Sequence, residues 1–207
     1  ASIKNIKPQE NAPREQVQEI INLFNEGLLD KAIDEINTLS NIYPLSPLLF
    51  NISGAFYKSR GQYEIAIQKF EQAINLKSNY AEAHYNLGVT LGEIGKINES
   101  ITCYKNALNI KKEYPDAHNN LGNIYLDLSQ YELSIEHFEW AVAYKPDFAE
   151  AHNNLGIANR VIGRLDEAGK SFDKALSINP DFTSATNCRG LLHQDMGQHD
   201  DAIKFYD

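Results

Sequence analysis

The chain has 207 residues, of which 43% are hydrophobic and 23% charged, and its formal net charge is −9. This apolar content is too high for a disordered chain, and the pI near 5.1 argues against the basic surface that nucleic acids and anionic membranes attract. The longest apolar stretch, Trp140 to Tyr144, is far shorter than the ~18 residues of a membrane span. We therefore expect a soluble, cytoplasmic chain that binds neither nucleic acid nor membrane.

The two cysteines and the chain ends carry little further information. Cys103 and Cys188 form no CxxC pair, so neither a zinc site nor a disulfide framework is indicated. Residues 1–12 form a polar N-terminal tail that lacks the apolar segment of a secretory leader. Because the sequence starts at Ala1 and stops within a helical pattern, we expect a fragment of a longer chain.

Glycine and proline recur with one fixed period. Ten of the twelve glycines fall into two columns whose members are 34 residues, or a multiple of 34, apart, and the prolines follow the same spacing. A period of about 20–50 residues indicates stacked supersecondary units instead of a single globule. The first glycine column contains Gly54, Gly88, Gly122, Gly156 and Gly190, and the second contains Gly27, Gly61, Gly95, Gly163 and Gly197, with Ser129 in the remaining position.

Each period has the pattern of a helix, a short turn and a second helix. In residues 81–114, apolar and small residues recur at three- and four-residue steps on both sides of Gly95, which is the spacing of amphipathic helices. Beyond the N-terminal tail, prolines occur only between periods, where helices begin or end. Ser46 and Pro47 are predicted to be the N-cap and the first residue of a helix. The pattern predicts an all-α fold of helix pairs.

The first glycine column indicates that the two helices of a pair approach each other closely. These glycines lie inside the first helix, where each costs about 1 kcal/mol relative to alanine. The facing columns of the second helix hold small residues such as Ala66 and Ser100. A large aromatic column between them fills the remaining space, as tight packing requires. The aromatic column contains Phe70, Tyr104, Phe138, Phe172 and Tyr206.

One second helix departs from its column. Gly169 stands where Ile67, Ile101, Ile135 and Ile203 stand in other periods. A missing side chain and a glycine inside a helix together predict a weak point in the packing at this position.

Three segments, AEAHYNLG (81–88), PDAHNNLG (115–122) and AEAHNNLG (149–156), share one pattern that ends in the packing glycine. Together with the later small, aromatic and proline columns, they resemble tetratricopeptide (TPR) repeats. The resemblance covers residues 47–207 and implies a right-handed TPR solenoid of antiparallel helix pairs, with the first helices lining a concave face. The pattern is also similar to the TPR superhelix of O-linked N-acetylglucosamine transferases and to bacterial TPR-fused proteins.

The register of this pattern predicts the repeat boundaries. Residues 13–46 form a degenerate repeat that has Ile20 in place of the packing glycine. Residues 183–207 form an incomplete repeat because the sequence ends before its last small and proline columns. A solenoid without a capping helix exposes an apolar end, so we expect end-to-end self-association through this repeat. The four complete repeats between them are residues 47–80, 81–114, 115–148 and 149–182.

The resemblance places an asparagine ladder (Asn86, Asn120 and Asn154) on the concave face. Asparagine offers both a donor and an acceptor, so the ladder is suited to hydrogen bonding with an extended peptide backbone. Alternatively, these asparagines bond to neighbouring helices and only stabilise stacking, and the sequence leaves both interpretations open. The other residues predicted to form the peptide-binding face are Tyr85, Glu93, Asn119, Asn123, Asp127 and Asn153.

Charge on the same face restricts the partner. TPR domains that clamp acidic C-terminal tails carry lysine and arginine on the first helices, where this chain has asparagine, tyrosine or apolar residues. A carboxylate clamp is therefore disfavoured, and the expected partner is a neutral or basic protein or peptide. The alternative is that the acidic residues are ordinary solvated surface. The acidic residues are Glu82, Glu93, Asp116, Asp127 and Glu150.

Histidines recur at the same period but do not predict a metal site. Equivalent helices lie ~8–10 Å apart, whereas zinc ligands must converge to within ~2.1 Å of one ion, so His84, His118 and His152 are predicted to be packing residues. A second group is interpreted as a solvated turn, with adventitious metal binding as the alternative; its members are His193, Asp195, His199, Asp200 and Asp201. We therefore expect no metal and no cofactor.

The sequence contains no GxxxxGK[ST], HExxH, GxSxG or dinucleotide-binding motif. The predicted function is noncatalytic: a protein–protein interaction scaffold that binds a peptide segment or a partner protein on the concave face. The alternative is a substrate-recruiting TPR region of a larger enzyme, such as a glycosyltransferase, whose catalytic domain lies outside this chain.

Overall fold

A computed structural model describes residues 12–197, and within this range the chain forms eleven α-helices and no strand. The prediction of an all-α fold built from consecutive helix pairs is confirmed. None of the described helices has the length and apolar character needed to cross a membrane. The helices are α1 (Arg14–Asn25), α2 (Leu29–Ile42), α3 (Pro47–Ser59), α4 (Tyr63–Leu76), α5 (Ala81–Glu93), α6 (Ile97–Ile110), α7 (Pro115–Asp127), α8 (Tyr131–Tyr144), α9 (Ala149–Val161), α10 (Leu165–Ile178) and α11 (Thr183–Asp195).

Two of the predictions concern the chain ends. The polar N-terminal tail, apart from Ala12, lies outside the described residues. The second half of the incomplete repeat, on which the expected self-association depends, also lies outside them.

The chain divides into two compact units, Ala1–Lys111 and Lys112–Asp207. In the N-terminal unit, the pairs α1–α2, α3–α4 and α5–α6 follow one another, and α2 and α4 each also pack against the first helix of the next pair. The rings of Phe24 and Phe56 stack with their centroids 4.7 Å apart, which ties α1 to α3. The core of this unit includes Ile36, Leu49 and Phe70, all of which are fully buried.

The C-terminal unit repeats this arrangement with α7–α8 and α9–α10, and α11 packs against both α9 and α10. Its core is built around Leu121, Phe138, Phe172 and Leu192, none of which has measurable exposure. Phe70, Tyr104, Phe138 and Phe172 are all buried, which confirms for these four residues the prediction that the aromatic column belongs to the core. Tyr206 lies outside the described residues.

The first-column glycines lie directly against aromatic rings of the second helix. A Cβ atom on Gly156 would lie 2.5 Å from Cε1 of Phe172, much closer than the ~3.5–4.0 Å at which carbon atoms pack. A side chain at this position would therefore push the two helices apart. The corresponding distances are 2.6 Å from Gly54 to Phe70, 2.7 Å from Gly122 to Phe138 and 3.1 Å from Gly88 to Tyr104.

Serines in the small facing column strengthen the same contact. Ser100 donates a hydrogen bond of 2.7 Å from Oγ to the carbonyl oxygen of Gly88, and Ser134 donates one of 2.9 Å to that of Gly122. Both serines are fully buried, so these bonds satisfy hydroxyl groups that water cannot reach. The predicted close approach is thus held by packing and by hydrogen bonds.

The second glycine column forms the turns between the helices of each pair. Gly163, for example, has a φ of +80°, a left-handed conformation that glycine adopts readily. Ser129 takes the same role between α7 and α8 with a φ of 58°, although a side chain in this region costs about 1–2 kcal/mol. The turn geometry therefore persists at the one position where the column lacks glycine.

Prolines set the start of two helices. Pro47 and Pro115 lie in the first turn of α3 and α7, where the missing N–H removes no hydrogen bond. Ser46 precedes α3 as predicted, yet its side chain makes no capping hydrogen bond.

The weak point predicted at Gly169 stays a prediction, although two side chains of α11 lie against this position. A Cβ atom on Gly169 would lie 3.2 Å from Nη1 of Arg189 and 3.4 Å from Cδ2 of Leu192. The Arg189 guanidinium is held in place by two hydrogen bonds to the Asp173 carboxylate, of 2.8 and 3.2 Å. A neighbouring helix thus supplies the packing that the missing side chain would have given.

We predict that Gly156→Ala lowers the free energy of unfolding by about 1–2 kcal/mol, because the added methyl group overpacks the buried Phe172 ring at a cost of about 2–3 kcal/mol. Alanine's better helix propensity offsets only about 1 kcal/mol of this loss. Chemical denaturation of the two proteins measures the difference.

Gly88→Ala is the matched control, since its Cβ would lie 3.1 Å from the Tyr104 ring and should cost less. Equal or greater stability of Gly156→Ala relative to the natural chain would show that close helix approach does not explain this column.

Candidate functional site

The predicted peptide-binding residues lie on the first helices but differ in exposure. Asn119 and Asn153 are buried, with 2% and 3% of their surface exposed, so they are not accessible to a partner. Glu93 and Asp127 are exposed. The half-buried members of the predicted face are Tyr85, Asn86, Asn120, Asn123 and Asn154.

In the N-terminal unit, a side-chain hydrogen bond links successive first helices. Asn86 on α5 donates from Nδ2 to Oδ1 of Asn51 on α3, at 3.0 Å. Asn51 in turn lies 3.5 Å from the hydroxyl oxygen of Tyr80. Asn51 was missed in the sequence because it lies one residue before the ladder column, where Ile52 stands. A search of the sequence for polar residues 35 positions apart, one more than the repeat period, could have found Asn51, because that is the spacing between Asn51 and Asn86.

An ion pair with the same offset lies further along these helices. Nζ of Lys58 on α3 is 3.1 Å from Oε1 of Glu93 on α5. Glu93, which was predicted to be a peptide-binding residue, therefore already has a basic partner within the chain. An exposed pair of this kind contributes about 0–1 kcal/mol.

The C-terminal unit contains a larger network of the same type. Nδ2 of Asn154 on α9 donates to Oδ1 of Asn119 at 3.1 Å and to Oδ1 of Asn123 at 3.0 Å, and both acceptors are on α7. Nδ2 of Asn119 donates to Oε1 of Glu150 at 3.2 Å. Asn119 thus holds two α9 side chains in place from its buried position. The stacking interpretation of the asparagines therefore applies to Asn86, Asn119 and Asn154.

The network stops between α9 and α11. Asn153 occupies the position equivalent to Asn51 and Asn119, but its Oδ1 is buried and accepts no hydrogen bond. The residue that would donate to it, 35 positions further on, is Cys188. Because a thiol is a weak donor, the hydrogen-bond network ends at Asn153, whose Oδ1 is left without a donor. The two helices are nevertheless joined by an ion pair of 2.6 Å between Arg160 Nε and Asp195 Oδ2.

The periodic histidines connect each first helix to the loop before it. Nε2 of His84, His118 and His152 lies 3.1 Å from the backbone carbonyl oxygen of the residue six positions earlier. A carbonyl oxygen can only accept, so each Nε2 carries the proton. The histidines therefore stabilise the repeat, and within residues 12–197 no group of three or more candidate ligands could hold a metal ion.

The second group of predicted histidine and acidic residues is only partly described. His193 and Asp195 lie at the end of α11, and Asp195 pairs with Arg160. The remaining members, which are His199, Asp200 and Asp201, lie outside the described residues.

Helix pairs that are repeated at a fixed period, with the first helices linked side by side, define a helical-repeat protein. Family models agree with this architecture: one described as "TPR repeat" matches residues 54–95 and 93–129, and one described as "Tetratricopeptide repeat" matches residues 119–181. Together these matches cover more than half of the chain. The chain belongs to the tetratricopeptide repeat family.

Individual relatives resemble parts of the chain. A peroxisomal targeting signal receptor from Saccharomyces cerevisiae is 31% identical over 77 residues, which are 37% of this chain and 13% of the receptor. The crystal structure of MamA has a TM-score of 0.69 and 25% identity, over 74% of this chain and 90% of that one. The crystal structure of YrrB, described as a TPR protein with an unusual peptide-binding site, has a TM-score of 0.71 and 20% identity, over 82% and 88%.

We predict that Cys188→Asn raises the free energy of unfolding by about 1 kcal/mol, because the new amide supplies the donor that Asn153 Oδ1 lacks. Thermal or chemical denaturation measures the change. Cys188→Ala, which removes the thiol without adding a donor, should give no such gain. Equal stability of the Asn and Ala variants would show that residue 188 does not reach Asn153.

We also predict that stability decreases as the pH falls below the ordinary histidine pKa. Burial lowers the pKa of His118, although the bond to the Lys112 carbonyl and the charge of Glu136 act in the opposite direction. At a pH between the ordinary histidine pKa near 6.5 and the lowered pKa of the folded chain, the unfolded chain binds more protons than the folded chain. The contribution of His118 to the free energy of unfolding is therefore fully present above this pH range and is lost as the pH falls through it. The lowered pKa of His152, also caused mainly by burial, acts in the same direction.

Denaturation measured between about pH 5 and pH 8 tests this prediction. His118→Gln should flatten the pH dependence of the unfolding free energy. His84→Gln removes the same type of loop hydrogen bond from a less buried ring and controls for that loss. A pH dependence that His118→Gln leaves unchanged would exclude His118 as its source.

Proposed function

We propose that this chain is a noncatalytic scaffold that binds an extended peptide segment of a partner protein. The proposed binding surface is the exposed side of the first helices within a unit, here called the first-helix face. The observation that supports this function concerns amide side chains on this face in which one polar group, the NH₂ or the carbonyl oxygen, is hydrogen-bonded within the chain. The other polar group of the same amide is then available to a partner. The two alternative roles of the asparagines are therefore compatible within a single side chain.

Asn86 and Asn123 are the residues with a fixed amide and an unused polar group. Asn86 donates to Asn51, which leaves its Oδ1 to accept from a peptide N–H. Asn123 accepts from Asn154, which leaves its NH₂ group to donate to a peptide carbonyl. Both side chains are half-buried, so binding them loses less side-chain entropy than binding a mobile residue. Asn154 donates its amide hydrogens to α7, so in this proposal it holds Asn123 in position.

The charge of the face favours a neutral or basic segment. In the C-terminal unit, Asp116, Asp127 and Glu150 are exposed on α7 and α9, whereas Arg160 is already paired with Asp195. Complementary charge increases the association rate and suppresses acidic partners.

Apolar side chains on the same helices offer contact area for such a segment. Val161 on α9 is 50% exposed and Leu191 on α11 is 38% exposed. Single exposed apolar residues are common on protein surfaces, so these two serve here as contacts beside the amides and do not by themselves define the site.

Family membership supports a role in protein binding, and YrrB is described as having a peptide-binding site. At 20% identity, that likeness extends to the fold alone. The alternative prediction, a substrate-recruiting region of a larger enzyme, gains no support from the described residues.

The test is a peptide-binding measurement with an isosteric variant. Short random peptides displayed on phage are selected on the natural chain, and the affinities of the selected peptides are measured by fluorescence anisotropy. The double variant Asn123→Asp/Asp127→Asn keeps an acceptor for Asn154 and preserves the net charge, but removes the Asn123 donor. Loss of one hydrogen bond should weaken binding by about fivefold to tenfold.

Asp127→Asn alone is the matched control for the change at residue 127. It should reduce the affinity of basic peptides by less than the double variant does. Selected peptides that bind the double variant as tightly as the natural chain would overturn the assignment of the site to this part of the first-helix face.

A further inference from the structure

Helix α8 carries a large aromatic residue where the equivalent second helices are polar. Trp140, the single tryptophan of the chain, is 45% exposed. The residues at its position in other repeats are also exposed, but they are Gln72, Asn106 and Lys174. The packing of the repeat therefore does not require an aromatic ring here.

The Trp140 indole is held in place by neighbouring rings. It stacks on Tyr144, with the ring centroids 5.6 Å apart and the planes inclined by 18°. His118 lies beneath both, at 6.4 Å from Trp140 and 5.7 Å from Tyr144. His118 is itself fixed by His137, whose Nδ1 is 3.0 Å from its own Nδ1, and by the Lys112 carbonyl oxygen. The exposed ring is thus ordered before any partner arrives.

Carboxylates continue the same line along the helix. Glu132, Glu136, Trp140 and Tyr144 follow one another at four-residue intervals, which places them on one side of α8; we call this set the α8 stripe. Both glutamates are exposed, and two like charges at this spacing are mildly destabilising. They have no ion-pair partner among residues 12–197.

Helix α8 has no lysine or arginine that could neutralise this charge. Its sequence contains three glutamates, including Glu139, and neither lysine nor arginine. The first basic residue after it, Lys145, has its Nζ 4.5 Å from the centre of the Phe148 ring. The helix therefore combines an ordered, exposed indole with uncompensated negative charge.

We propose that the α8 stripe is a docking surface, separate from the first-helix face, for a protein segment rich in arginine or lysine. A guanidinium or ammonium group is attracted both by the face of an indole and by carboxylates, and arginine in addition stacks its flat group on aromatic rings. Cationic side chains are thus the one class that is attracted by both parts of the stripe, the two glutamates and the two aromatic rings.

The charge of the chain argues against other occupants. A second copy of this chain also carries a net charge of −9, so an approach to the glutamates would be repelled. Nucleic acids and anionic lipid surfaces are negative as well. A basic segment of another protein is the occupant that the electrostatics favour.

Because the chain has a single tryptophan, its tryptophan fluorescence reports on this surface alone. Titration with an oligoarginine peptide should shift or quench the Trp140 emission in a saturable manner, and an oligoglutamate peptide should leave it unchanged. Saturating binding of oligoarginine, measured independently by anisotropy of a labelled peptide, without any change in emission would overturn the proposal.

Two variants test the halves of the stripe separately. Glu132→Gln/Glu136→Gln should weaken oligoarginine binding by at least about fivefold. Trp140→Gln, which introduces the residue found at the equivalent position 72, should weaken it by about threefold or more in the anisotropy assay.

The matched control is Glu64→Gln/Glu71→Gln on α4. These residues are exposed, Glu64 is the positional equivalent of Glu132, and the change in net charge is the same. Binding within about twofold of the natural chain supports a localised site. An equal loss in the control and in the α8 variant would instead show general attraction to an acidic protein and would overturn the proposal.

Discussion

The contact between a glycine and an aromatic ring is the constraint on which the rest of this structure depends. The Phe172 ring leaves no room for a Cβ atom at Gly156, so the two helices of the pair approach until this ring packs directly against the glycine. Buried serines then reach the glycine carbonyls directly. Since this contact fixes the rotation of the first helix about its own axis, it also determines which residues remain on the opposite, accessible side.

The accessible side is ordered by bonds between successive repeats. Amides of α5 and α9 donate to amides one repeat earlier, and ion pairs follow the same offset at Lys58–Glu93 and Arg160–Asp195. Each of these side chains is therefore restricted in conformation by the stacking of the repeats, before a partner is bound. A surface assembled in this way is held rigid by polar side chains that already have a structural role.

The sequence predicts those features that recur at the same position in every repeat. It does not predict contacts that join different positions of two neighbouring repeats. Gly88, Tyr104 and the turn glycines were found because each repeats at the period of the fold. Asn51 was missed because its bond to Asn86 joins two different columns. The side chains that lie against Gly169 could not be predicted either, since they come from another repeat. The burial of Asn119 and Asn153 was likewise beyond a pattern in which every asparagine of the first helices looks alike.

The offset of the inter-repeat bonds also limits how far apart in the sequence interacting side chains lie. The side-chain bonds that link Lys58 to Glu93, Asn51 to Asn86, Asn119 to Asn154 and Arg160 to Asp195 each span 35 residues, so no long loop has to close before these contacts form. Such a low contact order favours rapid folding. During synthesis, each helix pair can complete its polar links as soon as the next first helix has left the ribosome, without waiting for the rest of the chain.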